Sequence, residues 1–398
     1  MRSMEAGVAR MKLSCESGAQ HACNYTETHA HRQEIFLGYV IITLQSFGGG
    51  GNLRVPFPWL RARAAYPVLP VFLPFAGCPA RCVFCAQDKQ ASVEARGTEE
   101  DVARALDVLC AIFEERAARQ TEAVEVAFFG GTFSAQPEKI QEACFARLRP
   151  WRERGLVAAV RCSTRPDAVS VGRLARLKAL GLGTVELGIQ SFSSRALSEA
   201  QRGYTSEQAV EACTLVREAG LALGVQLMPG MPGVDAAVFQ ADMAQGLAVG
   251  AAFLRLYPCL VLEGTGLARA WRAGIYAPWS LEQTVRELAL ALLAAGRAGV
   301  PIIRMGLPLG GSFASHILAG PAHPALGAIV QAEALYHYIY DHLAGRGAAA
   351  LRLPRSCRGF FWGERGGMRE RWAALGLHRG NVVLEEEPPC DASVPLHG

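Results

Sequence analysis

The chain has 398 residues, of which 51% are hydrophobic and 19% charged. That length suits one large domain or two smaller ones, and the apolar content excludes a mostly disordered chain. Forty basic against 36 acidic residues leave a formal net charge of +4, too slight an excess to announce a nucleic-acid or membrane partner. The basic set is lopsided, with 4 Lys and 36 Arg, and this bias reads as genome base composition rather than as RNA binding. The longest apolar run near the N-terminus, Ile35 to Leu44, is about half of the ~20 residues that a spanning helix needs. No membrane protein is expected. His29, His31, Arg32 and Glu34 interrupt any signal-peptide pattern.

In chain order, residues 1–65 read as an N-terminal extension that does not fold with the rest. Polar, His-bearing sequence leads to Gly48-Gly49-Gly50-Gly51, a flexible linker by composition, and then to Pro56 and Pro58. Cys15, His21, Cys23, His29 and His31 fit no compact metal site.

From Tyr66 strands and helices alternate. Pro67 to Phe72 is β-like. Glu99 to Arg119 is helical, with Val102, Leu106, Leu109 and Ile112 on one face. Val124 to Phe129 is a continuous apolar run, as in a buried parallel strand. Helices follow over Glu138 to Arg154, Val171 to Leu180 (ended by Gly181), Ser206 to Glu218, Ala236 to Val249 and Leu281 to Ala298. Strands fall between them at Val157 to Ser163, Thr184 to Ile189, Leu221 to Met228 and Ala252 to Tyr257, with one more at Ile302 to Leu307. Residues 308–398 read as a short, mainly helical C-terminal extension. Between Gly345 and Arg379 stand 8 Arg and 2 acids, a solvated Arg-rich face or an RNA-phosphate surface. Residues 385–398 read as an acidic tail.

Six βα units predict an α/β fold: a partial (β/α)6 TIM-like barrel over residues 66–307, or an open doubly wound sheet. Both place chemistry at the C-terminal ends of the strands. There the chain sets a Cys-bearing loop, Gly130-Gly131-Thr132, Ser163-Thr164-Arg165-Pro166-Asp167, Gln190-Ser191, Met228 to Gly233 and Tyr257-Pro258.

Of the 12 Cys, Cys110, Cys144, Cys162, Cys213 and Cys259 lie in apolar stretches and read as small buried hydrophobes. A disulfide framework suits much shorter secreted chains, so a reducing cytoplasm is expected. Cys78, Cys82 and Cys85 differ: they form C-x3-C-x2-C on one loop, which Gly77 and Pro79 keep out of helix. A closed zinc site and a simple iron–sulfur site each want four ligands. Three thiolates on a four-iron cluster leave one iron open. The alternatives are a zinc knuckle with a distant fourth ligand, or a redox C-x2-C, which leaves Cys78 unexplained.

C-x3-C-x2-C with Phe84 before the last Cys resembles the signature of radical S-adenosylmethionine enzymes. Gly130-Gly131-Thr132 resembles that family's glycine motif. Val185-Glu186-Leu187-Gly188-Ile189-Gln190-Ser191, with Arg202 twelve residues beyond Gln190, resembles its fourth-strand motif. Ser163-Thr164-Arg165-Pro166-Asp167 and Leu256-Tyr257-Pro258 are similar to the radical domain of the Elongator catalytic subunit, over about Pro67 to Leu307. That family spaces its first two Cys more widely and carries an acetyltransferase domain. No acetyl-coenzyme A motif is seen here, so acetyl transfer is not expected, and the likeness is closer to stand-alone bacterial relatives.

The resemblance implies a 4Fe–4S cluster on Cys78, Cys82 and Cys85, whose open iron chelates S-adenosylmethionine. One-electron cleavage then yields a 5′-deoxyadenosyl radical that takes hydrogen from a substrate, tRNA or a small molecule. It further implies an electron donor such as flavodoxin or ferredoxin. The cofactor-binding residues it implies are Phe84, Gly130, Gly131, Thr132, Ser163, Gln190 and Arg202. Gly130 and Gly131 would let backbone approach the methionine amino group. Arg202 would pair with the methionine carboxylate. Ser163 and Gln190 would hydrogen-bond the ribose or the amino-acid part, and Phe84 would pack by adenine or shield the cluster. Arg255, Tyr257, Arg304 and Glu186 are candidates for the barrel interior on the substrate side, with a structural ion pair as the alternative for Arg255 and Arg304, and Lys89 touches the cofactor or faces solvent. The competing classes are a non-catalytic metal or iron–sulfur protein, and a radical enzyme for a small metabolite or tetrapyrrole.

Overall fold

The computed structural model describes residues 40–46, 53–58, 66–91, 97–343 and 348–386. Its strands in chain order are β1 (Val40–Ser46), β2 (Leu53–Phe57), β3 (Val68–Phe72), β4 (Val124–Phe129), β5 (Val157–Thr164), β6 (Thr184–Gln190) and β7 (Ala222–Leu227). They continue with β8 (Phe253–Leu256), β9 (Val261–Leu262), β10 (Ile302–Met305), β11 (Ile317–Ala319), β12 (Ala348–Pro354) and β13 (Val382–Glu385).

Among the described residues, seven strands pair in the order β10-β8-β7-β6-β5-β4-β3, every pair parallel. Helices Glu99–Ala118, Glu138–Glu153, Val171–Leu180, Ser206–Glu218, Ala236–Ala248 and Leu281–Arg297 cross between them. The sheet curls into the expected partial barrel, and the strand after the sixth helix adds its seventh member. Local chemistry sets the helix ends. Thr98 and Asp101 form a reciprocal capping box, and Thr205 and Gln208 form another. Gly181 closes its helix at φ 104°, a conformation that disfavours any Cβ.

Strand parity makes the barrel's two faces chemically different. On the outer face Val126, Phe128, Val160, Val185, Leu187 and Val225 are buried under the helices. On the inner face the alternate positions are Glu125, Arg161, Ser163, Glu186, Gln190, Gln226 and Arg255. Strands β4 to β8 therefore read as apolar in bulk yet carry polar residues inward.

The reading of residues 1–65 as an extension that does not fold with the core is corrected for residues 40–46 and 53–58, the part of it that is described. Among the described residues, β1 and β2 join a second sheet in the order β13-β12-β1-β2, so an N-terminal hairpin packs against C-terminal strands. Ile42, Leu44 and Phe57 are almost fully buried. The Phe57 ring meets Tyr338 edge-on at 5.2 Å. The Pro58 carbonyl lies so close to Gly296 that a Cβ there would stand 1.8 Å from it, so glycine is required in that helix. The Gly48–Gly51 linker and the Cys15 to His31 group lie outside the described residues. We expect Phe57→Ala to cost about 3–5 kcal/mol in urea unfolding, the usual penalty for an emptied aromatic core site. A hairpin that merely rests on the surface would show less than about 1 kcal/mol.

The C-terminal part is helical as expected, led by Leu326–Leu343, and it also supplies β12 and β13. Its Arg-rich face is partly neutralised. Arg371 pairs with Glu333, Arg352 with Glu385 and Arg355 with Glu386. Glu385 closes β13 rather than belonging to a tail, because its strand has β12 to pair with. No helix among the described residues is long and apolar enough to cross a membrane.

Asp242, on Ala236–Ala248, is only 3% exposed. Burial pushes its carboxyl up to about 6, although the Ser191 side chain and the Phe192 N–H, at 2.7 Å, pull it down. A carboxyl raised in the folded state leaves stability intact below the unfolded pKa and removes it as pH rises through the folded value. Relative to Asp242→Asn, the protein should therefore lose on the order of 3 kcal/mol between pH 4 and pH 7. Urea titrations of both proteins across that range check this, and parallel stability profiles would refute it.

Candidate functional site

A cavity of about 750 Å³ opens at the C-terminal ends of the barrel strands. Cys78, Cys82 and Cys85 stand in its wall. Their loop leaves β3 and is tied to the glycine motif by one side chain: Gln87 Oε1 accepts from Phe75 N at 2.7 Å and from Gly131 N at 2.9 Å. Thr132 N donates to the Ala76 carbonyl at 2.7 Å.

The two glycines sit at φ 78° and 61°. A Cβ on Gly131 would lie 2.2 Å from Ala76 O, and one on Gly130 would lie 3.1 Å from Leu73 O. The Cβ-free face of each is turned to backbone at or near the Cys loop, a second demand for glycine beside the expected one. Both still line the cavity. Thr132 is fully buried and contacts Cys78 Sγ through Oγ1 at 3.3 Å.

Burial, reinforced by Cys82 and Cys78, pushes Cys85 up to about 12. Burial also raises Cys78, against the Thr132 hydroxyl. Such thiols hold their protons until a cation displaces them. Among the described residues, no three His, Cys, Asp or Glu side chains are gathered tightly enough for a single metal ion. Cys78, Cys82 and Cys85 do line one cavity wall together, and three thiols are a donor set that suits a thiophilic metal group.

The other sequence-predicted residues divide. Phe84, Ser163, Gln190 and Arg202 line the same cavity as the cysteines, while Thr132 lies behind the wall. Ser163 Oγ donates to Phe128 O at a long 3.4 Å. Gln190 is held at φ 68°, a strained conformation for a side chain, and accepts from Gln226 Nε2 at 3.1 Å. Arg202 is 5% exposed, and its guanidinium is directed at protein groups: Cys82 Sγ at 2.9 Å, Gly188 O at 2.6 Å and Tyr204 OH at 2.9 Å. Three of its five N–H donors are thus engaged.

On the substrate side, Arg255, Tyr257, Glu186 and Arg304 reach the cavity, while Lys89 pairs with Asp88 at 3.9 Å. His316 pairs with Glu263 at 3.1 Å and His323 with Glu364 at 3.2 Å, both outside the wall. Gly230 and Gly233 face Trp279 and Ala196, which makes that loop a packed turn. Of the five cysteines read as buried, Cys110 is only half-buried and lies 3.7 Å from Arg147. It sits on an open face of its helix.

The sequence named Glu186 and Arg255, but missed Glu125 and Arg161 packed behind them. Arg161 pairs with Glu125 and, at 2.9 Å, with Glu186, and Glu186 pairs with Arg255 at 2.9 Å. Burial opposes the charge of Arg161, yet both carboxylates offset this and hold it above the ordinary guanidinium value. Gln87 and Arg165 were also missed as contacts. Arg165 is held by Asp167 at 2.7 Å, and its NH1 lies 3.9 Å from Cys82 Sγ. Their signal was parity and loop position, but no local pattern names a partner dozens of residues away.

Two family models match the chain: the radical SAM superfamily over residues 72–244 and the Radical_SAM C-terminal domain over 251–335. The tRNA uridine(34) acetyltransferase of Methanocaldococcus infernus is 29% identical over 198 residues, 44% of this chain and 37% of that protein. Its namesake in Dehalococcoides mccartyi is 27% identical over 240 residues, 51% and 50%. Human Elongator complex protein 3 is 28% identical over 191 residues, 43% and 35%. The match thus spans about a third to a half of the length of those curated relatives. Among solved structures, archaeal Methanocaldococcus infernus Elp3 with an N-terminal deletion superposes with a TM-score of 0.52 at 22% identity, covering 70% of this chain and 63% of that one. Its likeness is one of fold. The two models together span well over half the residues, and by them the chain belongs to the radical SAM superfamily.

Proposed function

We propose that Cys78, Cys82 and Cys85 hold a 4Fe–4S cluster beside bound S-adenosylmethionine, and that the chain uses both to abstract hydrogen from tRNA. The observation that carries this is the convergence of three cysteines from one loop on the wall of a single cavity, together with Gly130, Gly131 and Gln190. Three thiolate donors leave an iron open, and the cavity is large enough for a nucleoside-sized cofactor beside them. When bound, the cluster and S-adenosylmethionine supply reductive sulfonium cleavage and hence a 5′-deoxyadenosyl radical.

The chain's own residues then bind, orient and exclude water. Gln87 fixes the Cys loop to the glycine motif, so the thiols keep their spacing without metal. Gly130, Gly131 and Thr132 shape the wall beside Cys78. Ser163 and Gln190 present polar atoms to the cofactor, and Phe84 covers the cluster side. Leu260, Leu262, Phe313 and Ala86 form a small apolar cluster that closes one flank against water. Arg255, held by Glu186 and by the Tyr257 hydroxyl at 2.9 Å, offers donors to the substrate.

The tRNA reading is supported by the names of the curated relatives, and it places the protein in the cytoplasm with a flavodoxin- or ferredoxin-type donor. The test is anaerobic. Reconstitution with iron and sulfide, then dithionite and S-adenosylmethionine, should give about four irons per chain and 5′-deoxyadenosine. About one zinc per chain with no nucleoside product would overturn the enzyme reading. tRNA binding across a salt series checks the substrate: phosphate contacts require a steep fall in affinity with salt, and a flat response would redirect the search to small molecules.

A further inference from the structure

Arg202 is a buried cation with an unusual set of partners. Its side chain lies among Tyr204, the Gly188 carbonyl and the sulfur of Cys82. Among the described residues no Asp or Glu pairs with it, whereas Arg161, Arg165 and Arg255 each have a carboxylate. A guanidinium taken out of water needs a counter-charge, since an unpaired buried ion costs several kcal/mol. Its NH1 stands 2.9 Å from Cys82 Sγ, as near as its Nε stands to the Tyr204 hydroxyl.

The surroundings hold that geometry. The Arg202 Nε–H is tied to Tyr204, whose hydroxyl also contacts the Gly188 and Ile189 carbonyls at 2.9 and 2.8 Å. Arg165 NH2 donates to the Arg202 carbonyl, and its own bidentate grip on Asp167 fixes it in place. Both guanidiniums lie beside the Tyr204 ring, 5.4 Å and 5.0 Å from its centroid. Five residues thus serve to aim one N–H at one sulfur.

We infer that Arg202 is a fixed cationic hydrogen-bond donor to the Cys82 sulfur and, resting on the cluster reading above, that it sets the cluster's reduction potential. Hydrogen bonds to the sulfurs and local net charge are what tune such clusters. An added electron makes the cluster more negative, so a desolvated cation touching one ligand sulfur favours the reduced form. This role is distinct from pairing with the methionine carboxylate, and it operates before S-adenosylmethionine binds. Arg202 is in this sense a positioning and tuning residue acting through Cys82.

The experiment is a potentiometric titration of the reconstituted cluster, followed by electron paramagnetic resonance, without S-adenosylmethionine. Wild type, Arg202→Gln, Arg202→Lys and Tyr204→Phe are compared at equal iron and sulfide content. At a fixed solution potential, Arg202→Gln should lower the ratio of reduced to oxidised cluster about tenfold, which is ~59 mV for one electron. Arg202→Lys, which keeps the charge, should recover most of it. Tyr204→Phe, which frees the Nε–H anchor but leaves the cation, should fall between, and it decides the matter if Arg202→Gln does not fold. Unchanged potentials, with weaker S-adenosylmethionine binding in Arg202→Gln, would overturn the inference and restore the carboxylate role. Failure of wild type to assemble any cluster would instead sink the cluster reading itself.

Discussion

Cys85→Ala is expected to abolish 5′-deoxyadenosine formation, to at least a thousandfold below the wild-type protein, a loss of about 4 kcal/mol or more in transition-state stabilisation. The reason is combinatorial. Three thiolates are the most that a four-iron cluster can take with one iron left open, and a two-thiolate loop no longer holds the cluster in register. Cys85 lies in the cavity wall, and its Cα-side N–H is fixed to the Cys82 carbonyl at 3.1 Å, so no neighbouring cysteine can slide into its place. Cys162→Ala is the matched control. Cys162 is fully buried on the outer face of β5, where burial, with the Glu186 charge, holds its thiol well above the ordinary range. It should cost some stability and leave cluster content unchanged. Iron and sulfide content with the optical band of the cluster read both variants. Equal cluster content in Cys85→Ala and wild type would remove the triad from the metal site.

Arg161→Ala is expected to cost about 3–5 kcal/mol of stability. Arg161 is 2% exposed and bridges Glu125 on β4 to Glu186 on β6. Its removal leaves the Glu125 carboxylate buried without its bridging cation, while Glu186 keeps Arg255. The same principle says that an apolar replacement of the whole pair is far milder. Arg161→Met with Glu125→Leu should therefore regain most of the loss, although each single change is severe. Urea unfolding of the two single variants and the double variant tests this. Additive losses in the double variant would mean that the ladder is not a coupled unit. The ladder also underlies function, since the Glu186–Arg255 pair that faces the cavity is held from below by Arg161.

Much of the architecture was legible from periodicity. Val124–Phe129, Val171–Leu180 and Ser206–Glu218 fall where hydrophobic spacing puts them, because their limits depend on local caps, glycines and apolar faces. Alternation of strand and helix carried the parallel sheet, since parallel neighbours need crossovers. The C-x3-C-x2-C loop stood out because its ligands are close in sequence, and sequence proximity ensures spatial proximity on a short loop.

The tertiary structure alone decided what depends on distant partners. β1 was read as part of an extension because its pairing strand, β12, lies some 300 residues away, as in the register Leu44 with Leu351. That a Cβ on Gly131 would strike Ala76 is visible only once the Cys loop is packed on β4. So is the contact of Arg202 with Cys82, 120 positions earlier. Glu125, Arg161, Glu186 and Arg255 each look like single charges in apolar strands. They become a ladder only when curling brings alternate residues of four strands to one interior. Local spacing determined which residues form the elements and the cysteine loop. Burial, charge pairing and the direction of each polar side chain were set by the closure of the sheet, a long-range packing event that no window of sequence contains.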